Sequence, residues 1–517
     1  MMPIQTRNLR RSGLIGAAIL FLIGCDSGFD TLNTDTTRLT SVDPVMQLNT
    51  AIVNSAANLT MLQCETSIVK QHMRIFAGVG ACGNFNVDAR DVSSNNWNNG
   101  YGTRMRNLVD ALRTSADDPT AANLRNIIRI WRAYTMMRVT DSYGDVPYSQ
   151  AGLGFLEGVA FPEYDSQESI YTGPEGLLQE LSTATAALDP ALPAPGREVM
   201  YEGDVTRWQR LGNSLLLRAG MRLTKVAPNI AEQYVSAAVS GGVMQSNDDN
   251  AVILHTSEYR NDPGNSLNGG QSHFNYLVAD FVDYLRDTND PRLGAIAVRY
   301  VGATGSGTQT EANATRDPAD QVGIPMGYDN TNIGPVAEAA GIGSFYAYSQ
   351  PDRTRMMDPQ APSFLVTHAQ TQLLMAEAAH RGWIPGSAAE FYENGIRAHM
   401  EQLSTSYVNT TIAQSDIDAY VTAHPLEAGR ELEQINTQYW IASFLIADES
   451  WANFRRSCYP ALTPNPRQDD LPAEESFMRR FGYPSDERSL NPNVESGVTP
   501  DEIGTRIWWD VRVSSTC

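Results

Sequence analysis

Apolar residues recur every three to four positions through several segments of the chain, the period of an amphipathic α-helix. In the segment 123–140, for example, Leu124, Ile127 and Trp131 fall on one face. The same period predicts helices over 43–62, 101–115, 174–188, 206–225, 273–286, 368–382, 388–404 and 433–456. Short connections between antiparallel neighbours favour helical hairpins stacked side by side. The fold class expected is therefore mostly α.

Long segments of another composition separate these helices. The segments 64–100, 141–172, 247–272 and 300–362 are rich in Gly, Asn, Asp, Pro and Ser. Loops of this length in a compact protein are usually either functional or disordered. Aromatic residues between 328 and 348 argue against disorder in the last of them. The tail, 463–517, is rich in proline and predicted to be extended, with its Trp508-Trp509 end docked on the helices.

The first 24 residues have the features of a secretory signal peptide. Three arginines within residues 1–12 precede an unbroken apolar run over 13–23. Eleven residues are too few for a hydrocarbon core of about 30 Å, but they suit the apolar region of a signal peptide. We therefore expect residues 1–24 to be an export signal.

The next four-residue pattern, Leu22-Ile23-Gly24-Cys25, resembles the lipobox of bacterial lipoproteins. The resemblance implies cleavage before Cys25 and acylation of that cysteine, and two or more acyl chains hold a protein firmly on a membrane. Residues 25–42, rich in Asp, Thr, Ser and Asn, are interpreted as a flexible tether. The main domain is then 43–517.

The charge of the chain bears on its partners. Among 517 residues, 38 Lys and Arg stand against 59 Asp and Glu, which gives a formal net charge of −21. Such a surface repels phosphate backbones, so nucleic acid is not an expected partner.

Four cysteines remain beyond Cys25, and an even count in an exported protein permits two disulfides. They are Cys64, Cys82, Cys458 and Cys517. Pairing between neighbours in the sequence would join Cys64 to Cys82 and Cys458 to Cys517, and two other connectivities are possible. The spacing lacks a zinc-type cluster, so no metal site is expected.

Five stretches together resemble the SusD/RagB family of outer-membrane nutrient-binding lipoproteins. The first reads Thr140-Asp141-Ser142-Tyr143-Gly144-Asp145-Val146-Pro147-Tyr148 and follows a long predicted helix. The others lie within 203–223, 289–293, 374–382 and 449–510. Each stretch alone is a weak indication of the family. All five in this order behind a lipobox are a specific indication, and together they span nearly the whole mature chain.

This resemblance implies a tetratricopeptide-like helical scaffold whose loop insertions, about 64–100, 247–272 and 300–362, carry the binding face. It also implies a lipid-anchored protein at the surface of the outer membrane. Such a protein captures an oligosaccharide or a peptide and delivers it to a SusC-type TonB-dependent transporter. Neither enzymatic activity nor a cofactor is implied.

Two clusters on the loops have the chemistry that sugar binding needs, namely flat aromatic faces beside side chains that bond hydroxyls. The candidate ligand contacts are Asp88, Arg90, Trp97 and Asn98 in the first cluster and Tyr328, Phe345, Tyr346 and Tyr348 in the second. Packing offers another interpretation for both. Trp97 and Tyr101 have the spacing of a core helix face, and the later aromatics can fill the space under a long loop.

Two rival functions remain open at this point. A helical-repeat scaffold that binds another protein would present one extended groove. A lipoprotein glycoside hydrolase would need two carboxylates about 5–9 Å apart. Asp204, Glu377 and Glu449 lie in the motif-rich parts, where such residues are more often helix caps or partners of arginines. A GxGxxG match at 78–83 lacks the strand and helix that a dinucleotide site requires.

Overall fold

The structure is a computed structural model that describes residues 42–56, 73–75, 94–270, 273–328, 331–466, 471–494 and 502–513. The chain divides into two units, Met1–Asp43 and Pro44–Cys517. Among the described residues, no helix is both long enough and apolar enough to cross a membrane.

Helices dominate the first half of the larger unit. A π-helical turn, Asn99–Met105, joins the second and third helices. The α-helices are α1 Pro44–Val53, α2 Asn95–Asn98, α3 Arg106–Thr114, α4 Ala122–Tyr143, α5 Gly154–Glu157, α6 Gln167–Thr172, α7 Leu177–Ala186, α8 Val205–Arg222, α9 Pro228–Gly241 and α10 Asp262–Leu267.

The second half continues the pattern after a loop-rich region. Its α-helices are α11 Ala279–Asp287, α12 Arg292–Ile296, α13 Gly334–Ala339, α14 His368–His380, α15 Ala388–Ser406, α16 Gln414–Ala423, α17 Glu431–Ala442, α18 Ala447–Ser457 and α19 Ser485–Leu490. The mostly α architecture expected from the sequence is confirmed.

Local signals explain where the long helices begin and end. The Asp204 side chain accepts hydrogen bonds from the Thr206 and Arg207 amides, so it caps α8. Thr367 caps α14 in a reciprocal box with Gln370. Helix α4 ends at Gly144, whose φ of 82° favours glycine.

The long helices pack as antiparallel hairpins around one apolar core. Helix α8 lies between α7 and α9, and α14 packs against α15 and α17. Helix α4 contacts α7 on one side and α18 on the other, which joins the two halves. Trp131, Trp208 and Trp440 are fully buried within this core.

Short strands organise the loop-rich region. The strands are β1 Met73–Ile75, β2 Ala251–Ile253, β3 Asn275–Leu277, β4 Ala297–Tyr300, β5 Ala314–Thr315, β6 Gln350–Pro351 and β7 Ser363–Val366. They form the antiparallel pairs β1–β3 and β2–β7 and a three-stranded sheet in the order β5–β4–β6.

A buried charge network ties the helices together. Arg222 on α8 donates to Asp141 on α4 at 3.0 Å and to Glu449 on α18 at 2.6 Å. Tyr439 on α17 donates its hydroxyl to Glu449 at 2.7 Å. Burial opposes the ionised carboxylate, but Arg218 and Arg222 outweigh it and hold the pKa of Glu449 below its usual value.

The C-terminal segment closes the same network, which confirms that the tail docks on the helices. The Trp509 indole donates to Asp141 at 3.0 Å, and its ring is fully buried. The following Asp510 accepts from Arg506 at 3.1 Å.

Two helix boundaries differ from those predicted. The segment 433–456 was expected to be one helix, but it breaks between α17 and α18, where Leu445 adopts a φ of 68°. The segment 273–286 was also expected to be helical, yet its first part forms β3 because it pairs with β1. A short run of apolar residues fits both the period of a helix and that of a strand. Pairing with another strand therefore decides which of the two forms.

Glu377 on α14 provides a test of how much the buried ion pairs stabilise the fold. It is 1% exposed and accepts from Arg456 at 2.7 and 2.8 Å. Burial raises its pKa, but Arg456 and Arg381 outweigh burial and lower that pKa to about 2. Replacing Glu377 by Gln leaves Arg456 buried without its counterion, so we expect a loss of about 3–5 kcal/mol in the free energy of unfolding at pH 7.

Urea unfolding at several pH values measures this loss. Because the folded pKa is depressed, the stabilisation is complete above about pH 4.5 and fades as the pH falls towards 2. The difference between wild type and Glu377→Gln should shrink over that window. Glu433→Gln, which removes an exposed pair with Arg430, is the matched control and should barely move the midpoint. Equal midpoints for both variants at pH 7 would contradict the expectation.

Candidate functional site

The candidate site lies in the loop-rich region between β4 and β6. Its centre is a short 3-10 turn, Phe345–Ala347, which Ser344 caps by accepting from the Tyr346 amide. The next residues run into β6, and Leu277 of β3 donates its amide to Ser349 at 2.9 Å. Since β3 also pairs with β1, the strand within the 64–100 insertion lies beside this region.

Aromatic side chains gather at this turn. We call Phe345, Tyr346, His273, Phe274 and Tyr300 the aromatic patch. The rings of Phe345 and Tyr346 stack with centroids 4.1 Å apart, and those of His273 and Phe274 lie 4.0 Å apart. Tyr346 reaches His273 at 6.2 Å. Tyr300 is buried, whereas the other four are partly exposed.

Hydrogen bonds to the backbone fix the turn that carries these rings. Arg299 on β4 donates to the carbonyl of Ala347 and to that of Asp320, both at 2.8 Å. Gln309 donates to the carbonyl of Tyr346 at 2.8 Å. Because both sides of the turn are held, the rings keep their positions without a regular element beneath them.

A second guanidinium, that of Arg353, lies beside the aromatic patch. The guanidinium of Arg353 lies 4.9 Å from the centre of the Tyr300 ring, a cation–π contact. Its Nε is buried without a hydrogen-bond partner among the described residues. Burial, helped by Arg353, lowers the pKa of His273, so that ring is neutral at pH 7. The patch therefore combines partly exposed aromatic rings with a nearby guanidinium.

The four aromatics of the second predicted cluster differ in burial. Phe345 and Tyr346 are partly exposed, and Phe345 also packs against Tyr276 of β3 with ring centroids 6.1 Å apart. Tyr348 is only 2% exposed and belongs to the small apolar cluster against which Phe345 and Tyr328 pack. Burial raises the pKa of the Tyr348 phenol. Tyr348 is thus a packing residue of this region.

The first predicted cluster lies elsewhere. The Trp97 ring is 6% exposed and packs among tyrosines, with Tyr101 at 4.9 Å and Tyr143 at 5.1 Å. Asn98 is exposed and donates to Ser94 at 3.2 Å. Asp88 and Arg90 lie outside the described residues, so their role stays a prediction.

Five members of the candidate site were missed in the sequence. His273 and Phe274 fell in a segment assigned to a helix, and Tyr300, Arg299 and Arg353 carried no motif. Only the pairing of β3 with β1 and of β4 with β6 brings them to the turn. A Gly269-Gly270 pair just before His273 was the one local signal for a loop there.

The three carboxylates of interest for hydrolysis all serve the scaffold. Asp204 caps α8, and Glu377 and Glu449 are buried and paired with arginines. Each contact corresponds to the cap or arginine partner expected from the sequence. Their positions assign them to stability rather than to chemistry at the aromatic patch.

Of the cysteines named in the predictions, Cys458 is the one that lies among the described residues. Cys458 is disulfide-bonded, and Lys225 donates to its sulfur at 3.3 Å. Cys25, Cys64, Cys82 and Cys517 lie outside the described residues, so lipidation and disulfide connectivity stay predictions.

The chain is thus a helical scaffold that holds partly exposed aromatic rings on a braced loop. Residues 36–484 match the SusD-like_2 family, described as "Starch-binding associating with outer membrane". The chain belongs to the SusD/RagB family, a family associated with the outer membrane. No curated protein matches the sequence.

Solved structures agree with this assignment. A chitin-binding protein is 30% identical, with a TM-score of 0.78 over 91% of this chain and 100% of its own. A SusD-like protein described as Bacteroidetes AC2a is 27% identical, with a TM-score of 0.76 over 91% and 100%. A chitin-binding SusD homologue from Flavobacterium johnsoniae, 24% identical with a TM-score of 0.73 over 91% and 99%, shares the fold.

A substitution at Arg299 tests whether hydrogen bonds to backbone carbonyls hold the turn Phe345–Ala347. Replacing Arg299 by Ala removes two hydrogen bonds that join the turn to its surroundings. We expect amide hydrogen exchange across 344–348 to accelerate about tenfold, while the melting temperature changes little because the helical core is untouched.

Mass spectrometry of exchanged peptides measures this change. Arg260→Ala is the matched control, since Arg260 is an exposed arginine that also bonds a loop carbonyl, that of Ser257, outside the patch. Unchanged exchange at 344–348 in Arg299→Ala would show that other contacts hold the turn.

Proposed function

We propose that this protein is a lipid-anchored surface protein that binds a saccharide chain at the aromatic patch and delivers it to a SusC-type TonB-dependent transporter. The observation that carries the proposal is the stacked Phe345–Tyr346 pair, partly exposed on a braced turn of the loop-rich region. Rigid rings give contact area at a low cost in conformational entropy.

The chemistry of the aromatic patch suits a sugar. The apolar faces of pyranose rings pack on flat aromatic surfaces, while nearby donors bond hydroxyl and carbonyl oxygens. Phe345 and Tyr346 supply the surface, and Arg353 supplies the donors. His273 adds a neutral ring at pH 7, so the patch does not favour a strongly cationic ligand.

The relatives narrow the choice of sugar. The 30% identical structure is named as a chitin-binding protein, and the family description names starch. A chain of N-acetylglucosamine is therefore the first ligand to test, and an α-glucan is the second. The carbonyl of an acetamido group would accept from a guanidinium such as that of Arg353.

Two further parts of the proposal concern location and partner. The family associates with the outer membrane, and the pattern before Cys25 supplies a means of attachment. A protein tethered at that surface needs a route by which its cargo enters the cell. We propose a TonB-dependent barrel in this role, with the chain acting by capture and release rather than by hydrolysis.

Binding at the aromatic patch is tested by paired substitutions. We expect the double variant Phe345→Ala/Tyr346→Ala to bind chitin oligosaccharides at least tenfold more weakly, because both stacked faces are removed. Isothermal titration calorimetry with the pentamer of N-acetylglucosamine measures the affinity, and maltopentaose serves as the second ligand.

Tyr259→Ala is the control for this experiment. Tyr259 is 43% exposed and lies beside His255, outside the patch. Its loss should leave the affinity unchanged. If the double variant binds both oligosaccharides as tightly as wild type does, the aromatic patch is not the saccharide site.

The anchor is tested separately. In Cys25→Ser the acceptor of the lipid is absent, so we expect the protein to leave the membrane fraction. Detergent phase partition of cell extracts, followed by immunoblotting, measures the distribution. A variant that stays in the detergent phase as fully as wild type would contradict lipidation at Cys25.

A further inference from the structure

A concave site lies apart from the aromatic patch. It is a cleft of about 280 Å³ between the π-helical turn Asn99–Met105, the loop 147–162 and α19. We call it the Trp97 cleft; its chemistry comes from Trp97, Tyr101, Gly102, Arg106, Gln150 and Glu487. It shares no lining residue with the aromatic patch.

The floor of the Trp97 cleft is rigid and aromatic. Trp97 packs edge-on against Tyr483 at 5.6 Å and near Tyr164 at 6.4 Å with almost parallel rings. The Tyr101 hydroxyl donates to the carbonyl of Pro147 at 2.7 Å, which fixes the partly exposed Tyr101 ring at the mouth. A ligand would meet surface that has already lost its conformational freedom.

The rim carries polar groups with unused hydrogen-bonding capacity. Glu487 accepts at Oε1 from the Tyr164 hydroxyl and the Asn491 amide, and within the described chain its Oε2 has no partner. Gln150 accepts at Oε1 from the Glu163 amide, and no described residue accepts from its Nε2. Arg106 is exposed and makes no ion pair among the residues that the structure describes. One carboxylate and one guanidinium give the rim no net charge.

The backbone beside the cleft has an unusual geometry. π-Helical turns are rare and frequently mark functional sites. Gly100 is required for packing, because a Cβ there would lie 2.8 Å from Val139. Gly102 is not required for packing, because a Cβ there would meet nothing within 4 Å and the φ of Gly102 is not positive. A glycine within a helix costs about 1 kcal/mol relative to alanine. Packing therefore does not explain why residue 102 is a glycine.

We propose that the Trp97 cleft binds a single neutral pyranose residue. Its volume is near the lower end of small-molecule sites, about 300–1,000 Å³, which fits one ring rather than a chain. Aromatic surface below and acceptor, amide and guanidinium groups around the rim match the faces and hydroxyls of a sugar. Gly102 leaves the space that the ring occupies. This site is independent of the one proposed at the aromatic patch.

The experiment uses the mature full-length chain in the Phe345→Ala/Tyr346→Ala background, so that binding at the patch does not contribute. The probes are three neutral disaccharides: the dimer of N-acetylglucosamine, cellobiose and maltose. Saturation-transfer NMR and calorimetry measure their binding. We expect at least one to bind, and Gly102→Phe to weaken that binding at least tenfold by placing a ring in the open space.

Two further variants make the outcome decisive. Gly196→Phe adds the same side chain at another exposed glycine whose Cβ would meet nothing within 4 Å, and it should leave binding unchanged. Arg106→Ala, which removes no ion pair among the described residues, should weaken binding at least threefold. Circular dichroism melting confirms that each variant folds.

Either of two results would overturn the second site: no binding of any probe in the patch-deficient background, or equal binding in Gly102→Phe and Gly196→Phe. The outcome is separable from the test of the aromatic patch. Loss of binding in Phe345→Ala/Tyr346→Ala alone concerns the patch, whereas sensitivity to Gly102→Phe concerns the Trp97 cleft.

Discussion

The fold depends on keeping a few charges paired where water is excluded. Arg222 is 1% exposed and bridges Asp141 and Glu449, so a single guanidinium joins three helices that lie far apart in the sequence. An unpaired charge at that depth would cost several kcal/mol. The network thus ties α4, α8 and α18 together in the arrangement that the structure shows.

That rigid body allows the loops to carry aromatic rings at its edge. Phe345 and Tyr346 sit on a turn with little regular structure, and backbone contacts from Arg299 and Gln309 replace the support of a helix or strand. At the Trp97 cleft the packed aromatic rings form the floor, while the polar rim comes from two helices and one loop, through Arg106 on α3, Glu487 on α19 and Gln150. The side chains proposed to meet a ligand are therefore different from those of the buried charge network.

The helices could be predicted well from the sequence because their signals are local. Apolar period and capping residues lie within each segment, and α4, α8 and α14 were placed to within a few residues. The break at Leu445 and the strand at Asn275–Leu277 depend on partners far along the chain, which no local pattern reports. The site was predicted in part for the same reason. Phe345 and Tyr346 stood out as aromatics in a loop, whereas His273 and Arg353 reach them only through strand pairing.

The position of Trp509 has a consequence for how the helices hold together. Its indole bonds to Asp141 across 368 residues of sequence, and the pair lies inside the central charge network. Without Trp509 that carboxylate would lose one of its donors, and a cavity would be left where the indole belongs. The C-terminal segment is therefore a structural member of the core, and its removal would be felt by helices that lie far from it in the sequence.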